Sequence, residues 1–489
     1  MESIRLINYK CFDDTGEIVL KPINFLVGSN SSGKSSLLEF FPLFQQSMHT
    51  VRDGAFLWVG NNIDANDFHT VLKNGKDTMG VEIKIKNIPI SIGTDNGKIP
   101  ELTDVKVSIT ITESKYGDDI SKVAIEFCQQ KIELRLEDEL SDDVIINGES
   151  MKVEGEDISH SPTNSLLPSI FFNNPLAEEI SSKGRRELYS WVRQNLKSEE
   201  TSMPVSLLCR LRVILNKENF RRRLNGYKKD DIEINDFDHI YNLALLYNLN
   251  EIIDIINIYM MDQADKIEFI RPLRATAERY YRKRNISVNR ITPNGDNIAI
   301  FFLRLKKENK LKDFNDWLQN NDMGFVVNLE EEGGMIEMKI VEDGKDGRNI
   351  VDVGFGYSQI IPILATMWKD IYYASANPNR VAYCKTSIVL IEQPELHLHP
   401  RFQRKFAQLL VKCVDQAVKE KIDLRFVIET HSQDIINSVG RSVAYKEINA
   451  SYVNIYIFNA QKEDMKHYIE KAFYTHEGFL ENWPIGFFE

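Results

Sequence analysis

Gly28-Ser29-Asn30-Ser31-Ser32-Gly33-Lys34-Ser35 decides the fold, because these residues match the complete G-x-x-x-x-G-K-S pattern of a phosphate-binding loop. An apolar run at 23–27 predicts a strand before the loop, and the run at 36–48 predicts a helix after it. Glycines let backbone N–H groups converge on phosphates, Lys34 supplies positive charge for the β and γ phosphates, and Ser35 can ligate Mg²⁺. The sequence therefore predicts a site for a nucleoside triphosphate.

The composition is ordinary for a globular protein, and 489 residues are enough for about three folded units. Hydrophobic residues make up 43% of the chain and charged residues 27%, and no run of 18 apolar residues occurs. Residues 1–6 lack the basic and apolar segments of a secretion signal. We therefore expect a cytoplasmic protein with no membrane partner.

The cysteines argue against a disulfide framework and against a zinc site. They number five, an odd count, and no two have C-x-x-C spacing. We expect small core residues at Cys11, Cys128, Cys209, Cys384 and Cys413.

The net charge of −12 means that any contact with nucleic acid needs a local basic patch. The first basic segment, 221–229, contains Arg221, Arg222, Arg223, Lys228 and Lys229. The second basic segment, 271–290, contains Arg271, Arg274, Arg279, Arg282, Lys283, Arg284 and Arg290, with Tyr280 and Tyr281 among them. Basic residues interleaved with aromatic ones suit phosphate contact and base stacking. A solvated helix face is the alternative interpretation of such charge runs.

The phosphate-binding loop and its expected partners lie far apart in the sequence, so we predict a nucleotide-binding core split by an insertion. The N-terminal part of the core is 1–95, the insertion is 96–265, and the C-terminal part is 266–489. Alternating runs beginning at Val81, Val105 and Ile132 predict an antiparallel meander with one solvent-facing side. Helical spacing of apolar residues from Leu243 to Ile256 predicts a helical arm at the end of the insertion.

A second motif is the apolar strand at 387–391, which ends in Glu392-Gln393-Pro394-Glu395. A buried parallel strand can aim Glu392 at the metal of a Mg²⁺-phosphate site. The common version of this motif has a second carboxylate as general base, and this chain has Gln393 there. Because a neutral amide cannot accept the proton of an attacking water, Gln393 can only position that water. Either hydrolysis is slow, or another group such as Glu395 is the base.

Another apolar strand, at 424–428, leads into Glu429-Thr430-His431-Ser432. His431 alone would more often be a structural histidine, but its position after the other two motifs favours contact with the γ-phosphate. His397 and His399 form an H-x-H pair with no third ligand spaced nearby, so we expect no metal there.

Residues 352–362 contain a glycine-bearing turn, and a helix is predicted from Gln359 to Met367. A helix N-terminus with small residues is a potential anion site, and an ordinary helix cap is the alternative. In the geometry of ABC-type ATPases, this turn cannot reach the phosphates held by its own chain. Another subunit would then complete the site.

The ordered set G-S-N-S-S-G-K-S, V-G-F-G-Y-S-Q, L-I-E-Q-P-E-L-H-L-H-P and I-E-T-H-S resembles the RecF/SMC/OLD-like ATPases. The closing residues 482–488 also resemble the tail of one branch of that group. The resemblance covers about 1–95 and 266–489, and it implies an α/β, ABC-type (SMC/RecF-like) P-loop ATPase core split by a β-meander and a helical arm. Members dimerise head to head with ATP between subunits.

The resemblance also implies roles for individual residues. Ser35 and Glu392 would hold Mg²⁺, and His431 would contact the γ-phosphate. With Gln393 as a departure from the family pattern and Glu395 as the alternative base, the candidate catalytic residues are Glu392, Gln393, Glu395 and His431. ATP would be held in cis by Gly28, Ser29, Asn30, Ser31, Ser32, Gly33, Lys34, Ser35 and Ser36, and in trans by Gly356, Tyr357, Ser358 and Gln359.

Relatives of this kind suggest two functions. In the first, an ATP-gated oligomer senses a phage-related signal and controls an effector such as a nuclease or toxin, as ATPase subunits of the Septu and PARIS systems do. The chain fits this because 58 residues after His431 are too few for the Toprim domain of OLD nucleases. The alternative is a RecF-like DNA-binding ATPase of repair or chromosome maintenance. A transporter ATPase fits less well, because the turn at 354–359 departs from Leu-Ser-Gly-Gly-Gln.

Overall fold

The computed structural model contains two compact units. The first unit comprises Met1–Val19 and Leu43–Asp265, and the second comprises Leu20–Pro42 and Lys266–Glu489. The residues that the structure describes are 1–89, 102–114, 117–136, 143–152, 158–159, 165–168, 171–172, 187–188, 190–191, 194, 217–227, 237–284, 288–342, 344–376, 386–460 and 467–484.

The first unit is built on an antiparallel sheet with strand order β10-β9-β8-β7-β6-β5-β1-β2, in which β3 also pairs with β1. Strands β5 to β10 follow one another in both sequence and sheet, which confirms the predicted meander. Alternate residues of β8 are buried, as expected for a sheet with one wet face. The bounds are β1 Ser3–Tyr9, β2 Phe12–Asp14, β3 Ile18–Val19, β5 Thr78–Pro89, β6 Leu102–Ser114, β7 Gly117–Phe127, β8 Gln130–Arg135, β9 Asp143–Ile146 and β10 Glu149–Lys152.

Helices follow this sheet in the first unit, together with the short antiparallel pair β11 (Ile158–Ser159) and β12 (Phe171–Phe172). The apolar residues whose spacing predicted a helical arm are buried in two consecutive helices, which confirms that part of the prediction. The helix bounds are α2 Phe68–Val71, which precedes β5, and α3 Lys217–Tyr227, α4 Phe237–Tyr247 and α5 Leu249–Asp265, which follow the sheet.

The second unit contains a mostly parallel sheet with strand order β13-β18-β19-β4-β20-β21-β22. The first five strands of this order are parallel, and β21 and β22 add antiparallel pairings at one edge. Apolar runs form the central strands because parallel strands are buried on both faces. The bounds are β4 Ile23–Gly28, β13 Ile267–Ile270, β18 Thr386–Glu392, β19 Asp423–Glu429, β20 Val453–Ala460, β21 His467–Tyr474 and β22 Leu480–Glu481.

A smaller antiparallel sheet completes the strands described in this unit, in the order β14-β16-β15 with β17 paired to β16. Its bounds are β14 Tyr281–Arg282, β15 Phe325–Glu332, β16 Met335–Glu342 and β17 Arg348–Asn349. Helices α6 to α10 supply the apolar faces of a core shared with both sheets of the unit. Their bounds are α6 Ile298–Lys307, α7 Leu311–Asn320, α8 Phe355–Ala376, α9 Pro400–Lys419 and α10 Gln433–Ala444.

Helix α1 spans Lys34–His49 and begins inside the phosphate-binding loop, two residues before the predicted start at 36. The division between the two units falls in this helix, after Pro42. The compact units and the predicted segments share a boundary at 265/266. The three-part division into 1–95, 96–265 and 266–489 stays a prediction. Among the described helices, none combines the length and the apolar character of a membrane span.

The cysteines do not all follow the prediction of core residues. Cys413 is buried, Cys11 is partly buried, and Cys128 is exposed, so the prediction is wrong for Cys128. Cys128 lies in a turn at the end of β7, where its backbone has a φ of 45°. The described cysteines are free thiols, and Cys209 and Cys384 lie outside the described residues.

Candidate functional site

The phosphate-binding loop follows β4, the fully buried strand that the sequence predicted at 23–27. Gly28 pairs with Phe458 of β20, and a Cβ atom at Gly28 would lie 2.4 Å from the Phe458 carbonyl oxygen. Its φ of 153° also disfavours other residues. Gly33 has a φ of 104°, and Ser31 has a φ of 62°. Glycine at 28 is therefore required by close backbone packing, and glycine at 33 by backbone conformation.

Lys34 is only 3% exposed and lies inside the loop. Its ammonium Nζ donates to the carbonyl oxygens of Gly28 at 3.0 Å and Ser29 at 2.8 Å, and it lies 3.9 Å from Glu429 Oε1. Burial lowers the pKa of Lys34, while the negative charges of Glu429 and Glu395 oppose that change. The cation expected to contact phosphates is thus positioned by the loop's own carbonyl groups.

Ser35 makes its contact with a residue to which the sequence analysis gave no role. Its hydroxyl Oγ donates to Glu429 Oε2 at 2.9 Å. Glu429 is the last residue of β19 and is 3% exposed. In this conformation, the hydroxyl predicted to ligate Mg²⁺ is therefore held by the Glu429 carboxylate.

The strand order explains why Glu429, and not Glu392, contacts the loop. Strand β19 lies between β18, which ends at Glu392, and β4, which leads into the loop. Glu392 is paired in register with Glu429, and Glu429 with Leu26. Since the carboxyl ends of parallel strands meet at one edge of a sheet, both carboxylates lie on the edge from which the loop emerges.

Burial raises the pKa values of both carboxylates, Glu392 and Glu429. Together with the nearby negative charges of Glu429 and Glu39, burial raises the pKa of Glu392 to about 8, and the positive charges of Arg271 and Arg274 oppose the rise. Burial also raises the pKa of Glu429, while Lys34 and the Ser35 hydroxyl oppose the rise. Closely spaced buried carboxylates of this kind are typical of sites that bind a divalent cation or move protons.

Gln393 and Glu395 occupy the turn after β18. Gln393 has a φ of 44°, and its backbone N–H donates to the Glu429 carbonyl oxygen at 2.8 Å. Glu395 accepts from Thr430 Oγ1 at 2.8 Å and from the His431 backbone N–H at 2.7 Å. Burial raises the pKa of Glu395. The hydrogen bond from the His431 backbone is the largest of the effects that lower it. Hydrogen bonds therefore join the turn after β18 to the end of β19 and the residues that follow it.

The His431 side chain is exposed next to this network. Partial desolvation lowers its pKa, and the positive charge of Lys34 lowers it further. The structure therefore brings together Lys34, Ser35, Glu392, Gln393, Glu395 and His431, which were predicted from separate motifs.

Arg274 belongs to this region and not to a surface patch. It is 4% exposed, and its Nη2 donates to the Glu392 carbonyl oxygen at 2.9 Å. Burial lowers the pKa of Arg274 to about 10, against the charges of Glu395 and Glu392. Among the described residues, the buried side-chain nitrogen and oxygen atoms without a hydrogen-bond partner are Arg274 Nε, Arg274 Nη1 and Ser32 Oγ. All of them belong to residues of the candidate site or its immediate support.

Three of the seven basic side chains of the second basic segment pair with acidic residues of the same unit. Arg279 makes a bidentate salt bridge with Asp352, in which Nη1 donates to Oδ2 at 3.0 Å and Nη2 donates to Oδ1 at 2.6 Å. Lys283 lies 2.7 Å from Glu331, and Arg290 lies 3.5 Å from Glu268. In the first segment, the Arg221 guanidinium lies 4.4 Å from the centre of the Phe237 ring, and Lys228 and Lys229 lie outside the described residues. These partners reduce the positive charge available to a nucleic acid.

The turn at 352–362 opens a helix, as predicted, but α8 begins at Phe355 and not at Gln359. Gly356, Tyr357, Ser358 and Gln359 therefore lie in its first turns. Tyr357 donates its hydroxyl to Glu342 Oε1 at 2.6 Å, and Ser358 Oγ donates to the Phe355 carbonyl oxygen at 2.7 Å. Ser358 is 7% exposed and Gln359 is 1% exposed. Their contact with a nucleotide in trans stays a prediction.

The H-x-H pair has structural roles. His399 caps α9 by accepting from the Arg401 backbone N–H at 3.2 Å. The His397 ring packs edge-on against Phe355, with 4.8 Å between ring centres. Across the described part of the chain, no group of three or more His, Cys, Asp or Glu side chains is arranged to hold a metal ion.

The residues at the strand ends fit Mg²⁺ in the manner of a nucleotide site. Mg²⁺ takes few protein ligands there, all of them oxygen atoms, and completes its shell with phosphate oxygens and water. Ser35 and Glu429 supply such oxygens beside Lys34, and Glu392 supplies further ones at the paired strand end. The partnerless Ser32 hydroxyl inside the loop is a further polar atom that a bound phosphate could satisfy.

Comparisons with solved structures return head domains of Smc proteins. The Smc head domain of Pyrococcus furiosus bound to the C-terminal domain of ScpA has 11% identity and a TM-score of 0.37, covering 96% of this chain and 95% of that one. The Smc head domain of Thermotoga maritima has 9% identity and a TM-score of 0.34, covering 96% and 97%. TM-scores this low support no conclusion about function.

The curated relative Endonuclease GajA of Bacillus cereus (strain HuB5-5) is 30% identical over 88 residues. That alignment spans 17% of this chain and 12% of the relative.

The family model described as an AAA ATPase domain matches residues 1–436, which includes the phosphate-binding loop, Glu392, Glu429 and His431. This match and the mixed α/β architecture confirm the predicted P-loop ATPase fold. The chain belongs to the AAA ATPase domain family.

Proposed function

We propose that this protein is a cytoplasmic, Mg²⁺-dependent ATPase with slow turnover that oligomerises and controls an effector protein in bacterial anti-phage defence. The observation that carries the ATP-binding part is the contact of Lys34 and Ser35 with Glu429 at the end of β19, which is paired in register with Glu392 at the end of β18. A buried ammonium, a hydroxyl and two carboxylates at one sheet edge are the groups that a magnesium–triphosphate complex requires.

Each group has a distinct task in this proposal. Lys34 attracts the β and γ phosphates, and the loop glycines let backbone N–H groups approach them. Ser35 and Glu392 would hold Mg²⁺, which would supply positive charge to neutralise the phosphates. His431 would contact the γ-phosphate. Its side chain is exposed, and the positive charge of Lys34 lowers its pKa. Arg274 fixes the end of β18 through the Glu392 carbonyl oxygen.

Slow turnover follows from the turn after Glu392. Gln393 stands where a general base is needed, and an amide can orient a water molecule but cannot take its proton. Glu395 is the nearest alternative base on the same turn, but its carboxylate already accepts from Thr430 and His431. A site with this arrangement favours a long-lived ATP-bound state over rapid cycling.

Oligomerisation and effector control rest on the family and on a partial likeness. Within this proposal, ATP joins two subunits head to head, and the start of α8 contributes Gly356, Tyr357, Ser358 and Gln359 across the interface. The 88-residue likeness to an endonuclease named GajA supports a connection with nucleases. We propose that the effector is a separate nuclease or toxin encoded beside this protein.

The alternative, a RecF-like DNA-binding ATPase, has less support. Arg274 is buried, and Arg279, Lys283 and Arg290 are paired with carboxylates. The net charge of −12 also disfavours a broad DNA-binding surface.

Purification from the native host tests the proposal. The protein is isolated with Mg²⁺-ATP together with its operon neighbours, and its bound molecules are identified by mass spectrometry. A stoichiometric nuclease or toxin that is lost in Lys34→Ala supports the proposal. DNA bound in a salt-sensitive and ATP-dependent manner supports the alternative, and a lone protein without either contradicts effector control.

A further inference from the structure

Glu429 contacts both side chains on which the phosphate-binding loop depends. Its Oε2 accepts from Ser35 at 2.9 Å, and its Oε1 lies 3.9 Å from the Lys34 ammonium. The two oxygens of one carboxylate thus face the residue expected to ligate Mg²⁺ and the residue expected to bind phosphate. Any phosphate or cation that binds to those residues must replace or share their contacts with Glu429.

Burying the charged carboxylate of Glu429 costs folding free energy, which a purely structural role would not require. Glu429 is 3% exposed, and its closest cation lies beyond ordinary hydrogen-bond distance. A buried carboxylate without a close ion pair is unfavourable, and the neighbouring Glu392, at the paired register position, offers no positive charge to compensate it. Glutamine could accept the same hydrogen bond from Ser35 without the charge. The negative charge itself therefore needs a function.

A divalent cation would resolve this arrangement. Adjacent parallel strands are about 4.8 Å apart, so the ends of β18 and β19 bring Glu392 and Glu429 within range of one ion. Before the cation arrives, the charge of Glu429 opposes entry of a triphosphate, because like charges repel strongly in a poorly solvated site. With the charge of Glu429 neutralised by a cation, Lys34 and Ser35 would be available to a triphosphate.

We propose that Glu429 is a positioning residue that makes nucleotide binding depend on Mg²⁺, by holding Lys34 and Ser35 until the cation neutralises it. This inference rests on the proposed ATP site, which it extends by adding a second carboxylate beside Glu392. Glu429 thereby prevents the loop from binding free nucleotide.

The test compares the dissociation constant for ATP in excess EDTA and in excess Mg²⁺ by isothermal titration calorimetry, using the full chain. Glu429→Gln keeps an acceptor oxygen for Ser35, removes the charge and replaces the second carboxylate oxygen by an amide NH2 group. We expect it to bind metal-free ATP at least about tenfold more tightly than wild type, and the ratio of the two dissociation constants to fall by at least about tenfold. Glu477→Gln, the same change at an exposed position, should leave both constants unchanged.

Three outcomes separate the possibilities. A Glu429→Gln variant with the wild-type ratio overturns the role of Glu429 and leaves the ATP site intact. Absence of ATP binding by the wild type overturns the proposed function as well. If Glu429→Gln does not fold, Glu429→Asp, which keeps the charge, carries the test: a ratio near that of wild type supports the inference, and a ratio close to one overturns it.

Discussion

Glu392 lies beside Glu429 in register, each as the last residue of its strand, at the carboxyl ends of β18 and β19. This pairing places two buried carboxylates on the sheet edge from which the phosphate-binding loop emerges. The negative charge of Glu429 is one of the causes that raise the pKa of Glu392 to about 8. In the proposed ATP site, these two strand ends would hold the cation.

Stability in the absence of metal should depend on pH through Glu392. Its pKa is about 8 in the folded chain against an ordinary value of 4.5, so the folded state binds more protons between these values. Stability contributed by this group is therefore lost as pH rises from about 4.5 to 8. We expect Glu392→Gln to raise the melting temperature relative to wild type in EDTA at pH 8.5, by the equivalent of about 3 kcal/mol, and far less at pH 5.

The control for that measurement is Glu477→Gln, at an exposed position away from the strand ends. A difference between Glu392→Gln and wild type that stays constant from pH 5 to 8.5 would contradict the shifted pKa.

Gln393→Glu should accelerate ATP hydrolysis. The new carboxylate would stand one residue after Glu392, where it can accept the proton of the attacking water. We expect the rate of phosphate release at saturating Mg²⁺-ATP to rise by at least about tenfold. Gln319→Glu, an exposed change on α7, is the matched control and should have no effect. An unchanged rate in Gln393→Glu would point to Glu395 as the base or to product release as the slow step.

Phe355→Glu should block ATP-driven assembly while leaving ATP binding by each subunit intact. Phe355 begins α8 and is 43% exposed, so a charge there costs little stability and would repel the phosphates of a partner subunit. Ser358 is a poorer choice because it is 7% exposed. Mass measurement by light scattering with a non-hydrolysable ATP analogue reports the oligomer. Val418→Glu, on α9 and 45% exposed, should still assemble. Assembly of both variants would refute a trans role for this turn.

Arg274→Met should have different effects on thermal stability and on ATP hydrolysis. Arg274 is buried with one hydrogen bond to Glu392 and two nitrogens without partners, so its charge is poorly compensated in this conformation. An apolar side chain of similar length should therefore leave the melting temperature unchanged or raise it, whereas ATP hydrolysis should fall. Arg274→Lys should be intermediate. A large loss of stability with normal hydrolysis would show that Arg274 is only structural.

Much of the nucleotide site was predictable because its strands are short continuous apolar runs, each ending in chemically distinctive residues. The runs before Gly28, Glu392 and Glu429 became β4, β18 and β19, since strands buried on both faces need apolar side chains throughout. The meander was predictable for the opposite reason, because strands with one wet face alternate in polarity.

The apolar runs did not show which side chains would be neighbours within the site. Glu429 could have been noticed as a carboxylate ending a strand, but only the sheet order shows that β19 separates Glu392 from the loop. Arg274 was counted among surface charges because a sequence does not show that a loop after β13 turns inward. The start of α8 was placed too late because Gly356 disfavours a helix locally, whereas packing of the helix against the core stabilises it from Phe355.

Binding of Mg²⁺-ATP to wild type and Lys34→Ala, measured by isothermal titration calorimetry, tests the ATP site most directly. The exposed Lys312→Ala serves as the control, and melting temperatures confirm that all three proteins are folded. We expect saturable binding by wild type and Lys312→Ala, and a loss of at least about a hundredfold in affinity for Lys34→Ala. Equal affinity of a folded Lys34→Ala variant for Mg²⁺-ATP would contradict this expectation.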